Sequence, residues 1–503
     1  MSKIKVLAMY LPQFYQNEIN DEWWGEGYTD WVAVKKAEKL VEGHNQPRVP
    51  LDNRYYNLLD KEAIAWQSEL AKKYDVYGFC IYHYWFGNGS QALEKPAKNL
   101  LEWKDIDANY CFCWANTSWA TTWDAIDSKN VWADKFEEKS RTKINDIIKK
   151  QLYGDEEEWK KHFEYLLPFF LDSRYIRVNN KPVFVINSSD KIPMLQPMIR
   201  LWNSLAKKNG LDGIYIIAES CGEYSKEISA MMQHEPIFSR TKVMSRNKVE
   251  AGKLMESDYD EVWQELLKAS SVPDSGKAYY MAFTDFDSTP RKGMNGDKIK
   301  GVSVEKFEDY FKQLVEKSVE KNNELIFVNA WNEWGEGMYL EPDMTNGYGW
   351  LEAVKRVVNE YGEVKNKEEV HVMGHIPEKG RLVKMSGCLE GMLTILEKGK
   401  NISSYFKEKD VKNIAIYGHS VLARHLITQL KGSGINVAYV IDRKLKCQTE
   451  DYSILSLYEE LPQVDMVVVT IVWDFNSIEN VLIEKGLNNI VSLSTVIEKV
   501  ENS

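Results

Sequence analysis

Short, nearly uninterrupted apolar runs recur along the first 350 residues, at 4–11, 77–85, 110–114, 182–186, 214–218, 278–283 and 325–330, separated by stretches of helical period such as 63–74 and 304–317. Runs this short, apolar on both faces, read as strands covered from both sides, and their alternation with helices implies βα units on a parallel sheet. An eighth strand is placed near 234–238. Eight such units predict an α/β fold of the (β/α)8, TIM-like kind. Almost every run ends in polar or aromatic residues: Gln13 after the first, then His83 and Tyr84, Trp114 and Asn116, Glu219, Asp285 and Asp287, and finally Asn332 and Glu333. A barrel gathers all of these ends on one face, the face on which barrel enzymes work. An open doubly wound sheet gathers only some of them.

With 503 residues, the chain is long enough for one large barrel and a smaller module. The expected boundaries are a barrel over 1–363, a Lys- and Glu-rich connector over 364–410, and a Rossmann-like αβ domain over 411–503. In that last domain Gly418, His419 and Ser420 fall at a strand–turn–helix junction, and Asp442 stands where a ribose-binding acid would. Two of the three expected glycines are absent, so a structural or partner-docking role is preferred, and no cofactor is expected. The formal net charge of -11 argues against nucleic acid, since nothing would release counterions. No apolar run approaches the ~18 residues of a membrane span, and the start of the chain lacks a signal-peptide pattern. Cys80, Cys111, Cys113, Cys221, Cys388 and Cys447 form no C-x-x-C pair and read as reduced core residues, so a cytoplasmic protein is expected.

The chemistry concentrates after the last apolar run. Trp331, Asn332, Glu333, Trp334, Gly335, Glu336 and Gly337 put two carboxylates three residues apart among tryptophans and glycines. A helix start is the plain alternative, but the two glycines argue for a shaped loop. Paired carboxylates in an aromatic setting suit glycosidic bond chemistry, in which one acid moves a proton and another acts as base or manages positive charge. Asp285 and Asp287 have the D-x-D form with which transferases hold a cation on a sugar diphosphate, yet Asp287 reads better as a sugar contact, with Arg291 nearby. His83 and His44 are read as the only histidines near the pocket. With Cys111 and Cys113 they have the wrong spacing for structural zinc, and no metal site is expected. Trp23, Trp24 and Trp31, in an acidic loop after the first strand, read as a wall of the cleft.

The segments around Tyr10 and Gln13, 20–31, 43–48, 82–86, 114–116, 172–178 and 331–343 resemble the WbsX-type glycosyltransferases, which are similar to the glycoside hydrolase family 99 barrels. The resemblance covers residues 1–360 and implies a role in cell-surface polysaccharide or O-antigen assembly. Family 99 enzymes cleave internal α-mannosidic linkages with retention. In their Glu-Trp-His-Glu motif the first acid deprotonates the sugar's 2-hydroxyl and the second protonates the leaving oxygen. The matching residues are Glu333 and Glu336, and Gly335 stands where that family carries His.

The sequence reading is therefore a carbohydrate-active enzyme with Glu333 and Glu336 catalytic. Tyr10, Gln13, Trp23, Trp24, His83, Tyr84, Trp114, Asn116, Asp287, Arg291, Asn332 and Trp334 are the expected contacts to an oligosaccharide or polysaccharide, and the C-terminal domain is a docking point for other assembly proteins. Two alternatives stay open: a metal-dependent nucleotide-sugar transferase using Asp285 and Asp287, and a non-catalytic glycan-binding scaffold.

Overall fold

The computed structural model describes residues 2–120, 147–219, 226–246, 253–268, 277–364, 372–373, 378–442, 447–448, 452–457, 459–472 and 475–502. The chain divides into two compact units, Met1–His375 and Ile376–Ser503.

The first unit is built on β1 (Lys5–Tyr10), β2 (Val76–Gly87), β3 (Tyr110–Trp114), β4 (Lys181–Ile186), β5 (Tyr215–Glu219), β6 (Ala230–Met232), β7 (Ala278–Tyr279 continued by Met281–Phe283) and β8 (Leu325–Asn329). Each strand pairs in parallel with the next in chain order. The two halves of β7 meet different neighbours: Ala278–Tyr279 pairs with β6 and Met281–Phe283 with β8, which returns to β1. The sheet thus runs round to its start as a nearly closed parallel barrel. The eighth strand expected near 234–238 lies slightly earlier, at β6, and residues 237–244 form the helix Ile237–Met244. Only three residues long, β6 is too short to register as an apolar run.

Helices cover the outside by burying one stripe each. Val304–Glu320, capped by the Ser303 side chain on the Lys306 amide, buries Phe307, Phe311, Leu314, Val315 and Ser318, a helical repeat facing the sheet. Burying each Phe stabilises the fold by roughly 1.5–3 kcal/mol. A strand's period of two then decides which side chains enter the barrel. On β2, Cys80 meets Cys111 and Cys113 of β3, so Cys80, Tyr82 and Tyr84 point inward. The alternate residues His83 and Trp85 point outward, against His162 and Tyr165 of the helix Glu156–Phe170.

The second unit holds a six-stranded sheet. Asn413–Tyr417 pairs in parallel with Asn436–Asp442 and Met466–Val469, which extend in parallel to Ser453–Ser456 and Ile490–Ser492, with Cys447–Gln448 antiparallel at one edge. Alternate residues feed two cores, Ile414, Ile416 and Val468 into one, Ala415, Tyr417 and Val467 into the other, as a sheet covered on both faces requires. The stretch 364–410, expected to be a connector, carries the helix Glu378–Glu397. That helix packs Cys388, Met392 and Ile395 into this unit's core at i, i+4 and i+7. Its many charges had masked that stripe. Among the described residues, no helix is long and apolar enough to cross a membrane. Cys80, Cys111, Cys113 and Cys388 are buried free thiols. Cys221 and the Cys447 side chain lie outside the described residues.

Candidate active site

The apolar strand β8 ends at Asn329, and the chain continues through Asn332–Glu333, a short 3-10 turn Trp334–Glu336, and Gly337 in the left-handed region at φ 68°. The loop is fixed from below. Asn332 accepts the Leu11 amide at 2.8 Å and donates to the Leu11 carbonyl at 3.0 Å, tying the loop to the end of β1. The indoles of Trp331 and Trp334 donate to opposite oxygens of buried Glu341, at 2.9 and 2.7 Å. Gln67 and Tyr56 supply two further donors to the same carboxylate, at 2.7 and 2.8 Å. Trp334 also stacks on Tyr339, with ring centroids 3.8 Å apart. These contacts fix Trp334 and Asn332 as the loop's supports.

Above that base, Arg291 of the short helix Thr289–Lys292 holds three carboxylates. Its Nη1 lies 2.7 Å from Glu336 Oε1, its Nη2 3.3 Å from Glu333 Oε2 and 2.9 Å from Asp30 Oδ1. The other oxygen of Asp30 accepts the Gly335 amide at 3.0 Å. The Glu333 side chain is 9% exposed and that of Glu336 23%. Burial first, opposed by Arg291 and reinforced by the charges of Glu336 and Asp30, leaves the Glu333 carboxyl pushed up to about 8. The arrangement is an acid pair within reach of one guanidinium, which suits proton transfer. Tyr84 belongs to the same group, since Glu333, Arg291 and Glu336 all act on its buried phenol.

The loop's glycines have a steric cause. A Cβ on Gly335 would come within 2.7 Å of Arg291 Nε and Asp30 Oδ2, and one on Gly337 within 2.9 Å of the Arg48 guanidinium. Gly335 keeps the backbone close enough to Asp30 for its amide to bond there, so the glycine does more than omit a sugar contact.

A second cluster lies alongside. Arg48 Nη2 pairs with Asp285 Oδ2 at 2.9 Å and its Nη1 donates to the Gly337 carbonyl at 3.1 Å. Asp287 accepts from Thr289 N and Oγ1 on one oxygen, and from His44 Nε2 and Gln46 Nε2 at 2.9 Å each on the other. The Leu40 amide donates to His44 Nδ1, leaving the Nε2 proton for Asp287. Burial alone would raise the Asp287 carboxyl, but the His44 hydrogen bond, the Arg48 charge and the Thr289 and Gln46 bonds hold it well below the usual carboxylate range. Asp287 is thus saturated, and its role is to bind protein groups in place of the expected sugar. Asp285, raised by burial against the Arg48 charge, is likewise committed to Arg48 and to the Phe286 amide. A cation at this D-x-D would have to compete with a bound guanidinium. Among the described residues no group of three His, Cys, Asp or Glu is placed to hold a metal ion.

Several expected contacts lie elsewhere. His83 is on the outward face of β2, paired with His162 at 2.8 Å and stacked on Tyr165, and burial lowers its pKa to about 3. Trp114 also faces outward, donating to the Trp85 carbonyl and packing on His162. Tyr10 is buried with its hydroxyl on Gln67. The period-two rule explains all three: a residue near a strand's end can belong to either face. Asn116 spends its amide on both the Ser188 carbonyl and amide, joining two loops. Gln13 accepts the Asp30 amide on its carbonyl, and its buried Oε1 has no hydrogen-bond partner among the described residues. Trp24 is buried against Tyr28, and the Trp23 side chain lies outside the described residues. His234, just past β6 and 3.2 Å from Glu219, is a further histidine near the barrel's C-terminal end, so the expectation that His44 and His83 alone lie near the pocket does not hold. Asp30, Arg48 and Glu341 were also unassigned, although they fall within the segments 20–31, 43–48 and 331–343.

The chain belongs to the WbsX glycosyltransferase family: the family profile, Glycosyltransferase WbsX, matches residues 6–354. It is similar to "Uncharacterized protein WxcX" of Xanthomonas campestris pv. campestris strain B100, 27% identical over 369 residues, 71% of this chain and 50% of that protein. The corresponding protein of strain ATCC 33913 is 26% identical over 371 residues, covering the same shares. The chain spans about half the length of the curated relatives it matches. Among solved structures it is similar to the GH99 endo-alpha-mannosidase from Bacteroides thetaiotaomicron, with a TM-score of 0.41, 14% identity, and coverage of 71% of this chain and 97% of that one. A glycoside hydrolase-like protein is matched at a TM-score of 0.45 and 11% identity, over 71% and 94% of the two chains.

Proposed function

We propose that the protein is a carbohydrate-active enzyme that makes or remodels a glycosidic bond in cell-surface polysaccharide or O-antigen assembly, in the cytoplasm, with Glu333 and Glu336 as its proton-handling pair. The observation that carries this reading is the shared contact of both carboxylates with Arg291, beside Asp30, with the buried Tyr84 phenol within their electrostatic reach. One guanidinium in contact with three acids leaves a proton favoured on the pair, and Glu333, the more buried and more loosely held of the two, is its better resting holder. Glu336 makes the shorter contact with Arg291, at 2.7 Å against 3.3 Å for Glu333. The resemblance assigns Glu336 the acid role and Glu333 the base role, so a bound sugar would have to draw Arg291 off Glu336 before that assignment applies. We read the second unit as a Rossmann-like αβ domain that serves as a docking module for other assembly proteins.

The test is product analysis with a panel of α-linked oligosaccharides, with and without nucleotide sugars and divalent metal. Cleavage or transglycosylation without nucleotide sugar is the expected result. Turnover that requires both a nucleotide sugar and metal would replace this reading by a metal-dependent transferase. Undiminished biological function with both glutamates replaced would favour a non-catalytic scaffold.

A further inference from the structure

His234 lies at the barrel end that carries Glu333, and no role above uses it. Its Nδ1 is 3.2 Å from Glu219 Oε2 and 3.4 Å from Oε1. Glu219, the last residue of β5, is itself held by the Asn187 side-chain amide and is fully buried, whereas the His234 side chain remains 17% exposed. On the other side of the ring, among the described residues, Nε2 has only a long 3.3 Å contact to the Asn329 amide nitrogen, which donates at 2.9 Å to the Glu235 carbonyl. A carboxylate on Nδ1 keeps the proton there and leaves the Nε2 lone pair available, the arrangement that makes an imidazole a positioned base.

His234 sits against Asn329, the last residue of β8, three residues before the loop begins at Asn332, and two electrostatic couplings agree with that placement. The buried Tyr82 phenol, inward on β2, feels the charges of both Glu333 and Glu219. Burial disfavours the imidazolium of His234, but Glu219 from β5, then Glu336 from the loop after β8, and then neighbouring Glu235 favour it, and the net direction is upward.

We propose that His234, oriented by Glu219, receives the proton of an incoming sugar hydroxyl, so that this site transfers a glycosyl group to a carbohydrate acceptor. The proposal rests on the carbohydrate-enzyme reading above. In the step, the acceptor oxygen bonds to the anomeric carbon as that carbon's bond to the leaving oxygen breaks. The acceptor proton goes to Nε2, and the leaving oxygen takes its proton from the glutamate pair. Exchange with water returns both groups to their starting states, and no redox co-reactant is required.

Glycosyl fluorides isolate the acceptor half of this step, because fluoride departs without needing a proton. The full chain would be assayed with a panel of α-glycosyl fluorides as donors and methyl glycosides as acceptors, measuring transfer and hydrolysis products together. The ratio of transfer to hydrolysis is expected to fall ~100-fold in H234N and in E219Q. The acidic limb of the transfer pH profile should disappear in H234N. In parallel, 13C-histidine NMR of the full chain, with the His234 signal identified by its absence in H234N, should show its pKa falling in E219Q and in E336Q. Wild-type turnover with an unchanged ratio in both His234 and Glu219 variants overturns this proposal alone. Absence of turnover with every donor overturns the underlying reading and this proposal with it.

Discussion

Two charge clusters flank the 333–337 loop, and they are built to opposite ends. Around Arg48, Asp285 and Asp287 meet one guanidinium, one imidazole, one amide, a hydroxyl and two backbone amides, so every oxygen is engaged. Around Arg291, three carboxylates meet one guanidinium, and Glu336 keeps a quarter of its side chain open. The first arrangement satisfies its charges and therefore serves structure. The second leaves three acids sharing one cation, which is the arrangement the proposed function uses. The contrast teaches that a D-x-D pattern and a pair of glutamates, similar on the page, are separated by what surrounds them.

The comparison breaks most sharply at the glutamates. E333Q and E336Q should each lower turnover ~10²–10⁴-fold with substrate binding retained, measured as kcat against the Kd for an unhydrolysed oligosaccharide. D285N should spare most activity, and a loss equal to that of E336Q would erase the distinction. Next, R48M leaves two buried aspartates without their cation and should cost about 3–5 kcal/mol in denaturant unfolding. The double variant R48M/D285N should recover part of that. Glu341 sharpens the contrast from a third side, being a carboxylate satisfied by four neutral donors. E341Q turns an amide NH2 toward those donors and should cost about 1–3 kcal/mol, with a change in near-UV circular dichroism from Trp331 and Trp334.

In pH dependence the clusters should move in opposite directions. Glu333 binds its proton more tightly folded than unfolded. Its contribution is therefore complete below the ordinary carboxylate range and lost as pH rises toward about 8. Asp287 is held low, so its contribution is complete above that range and lost on acidification. Melting curves across pH 3 to about 9 should lose their alkaline slope in E333Q and their acidic slope in D287N.

Much of this was legible in the chain. The apolar runs marked seven of the eight strands because β8 and its fellows are buried on both faces, and the residues singled out in the loop after the last run, Glu333 and Glu336, share their electrostatic surroundings with Tyr84 from the end of another. What sequence could not show was the facing of residues near strand ends. His83 and Tyr84 are neighbours, yet one packs on a helix and the other reaches the acids, because β2 runs on to Gly87 and fixes the parity. Partners distant in sequence were equally hidden: Asp30 and Arg291 are 261 positions apart, and Gln67 and Glu341 are 274 apart. Only folding assigns one to the other.

The two glycines bear on how this loop can change. Gly335 and Gly337 each sit against a guanidinium, so the loop carrying both acids has no room to acquire a side chain from within. A saturation library at these positions should return glycine almost alone among active clones, whereas loops farther from the two arginines tolerate variety. Variation in this part of the protein must therefore enter from its periphery, with the loop inherited unchanged.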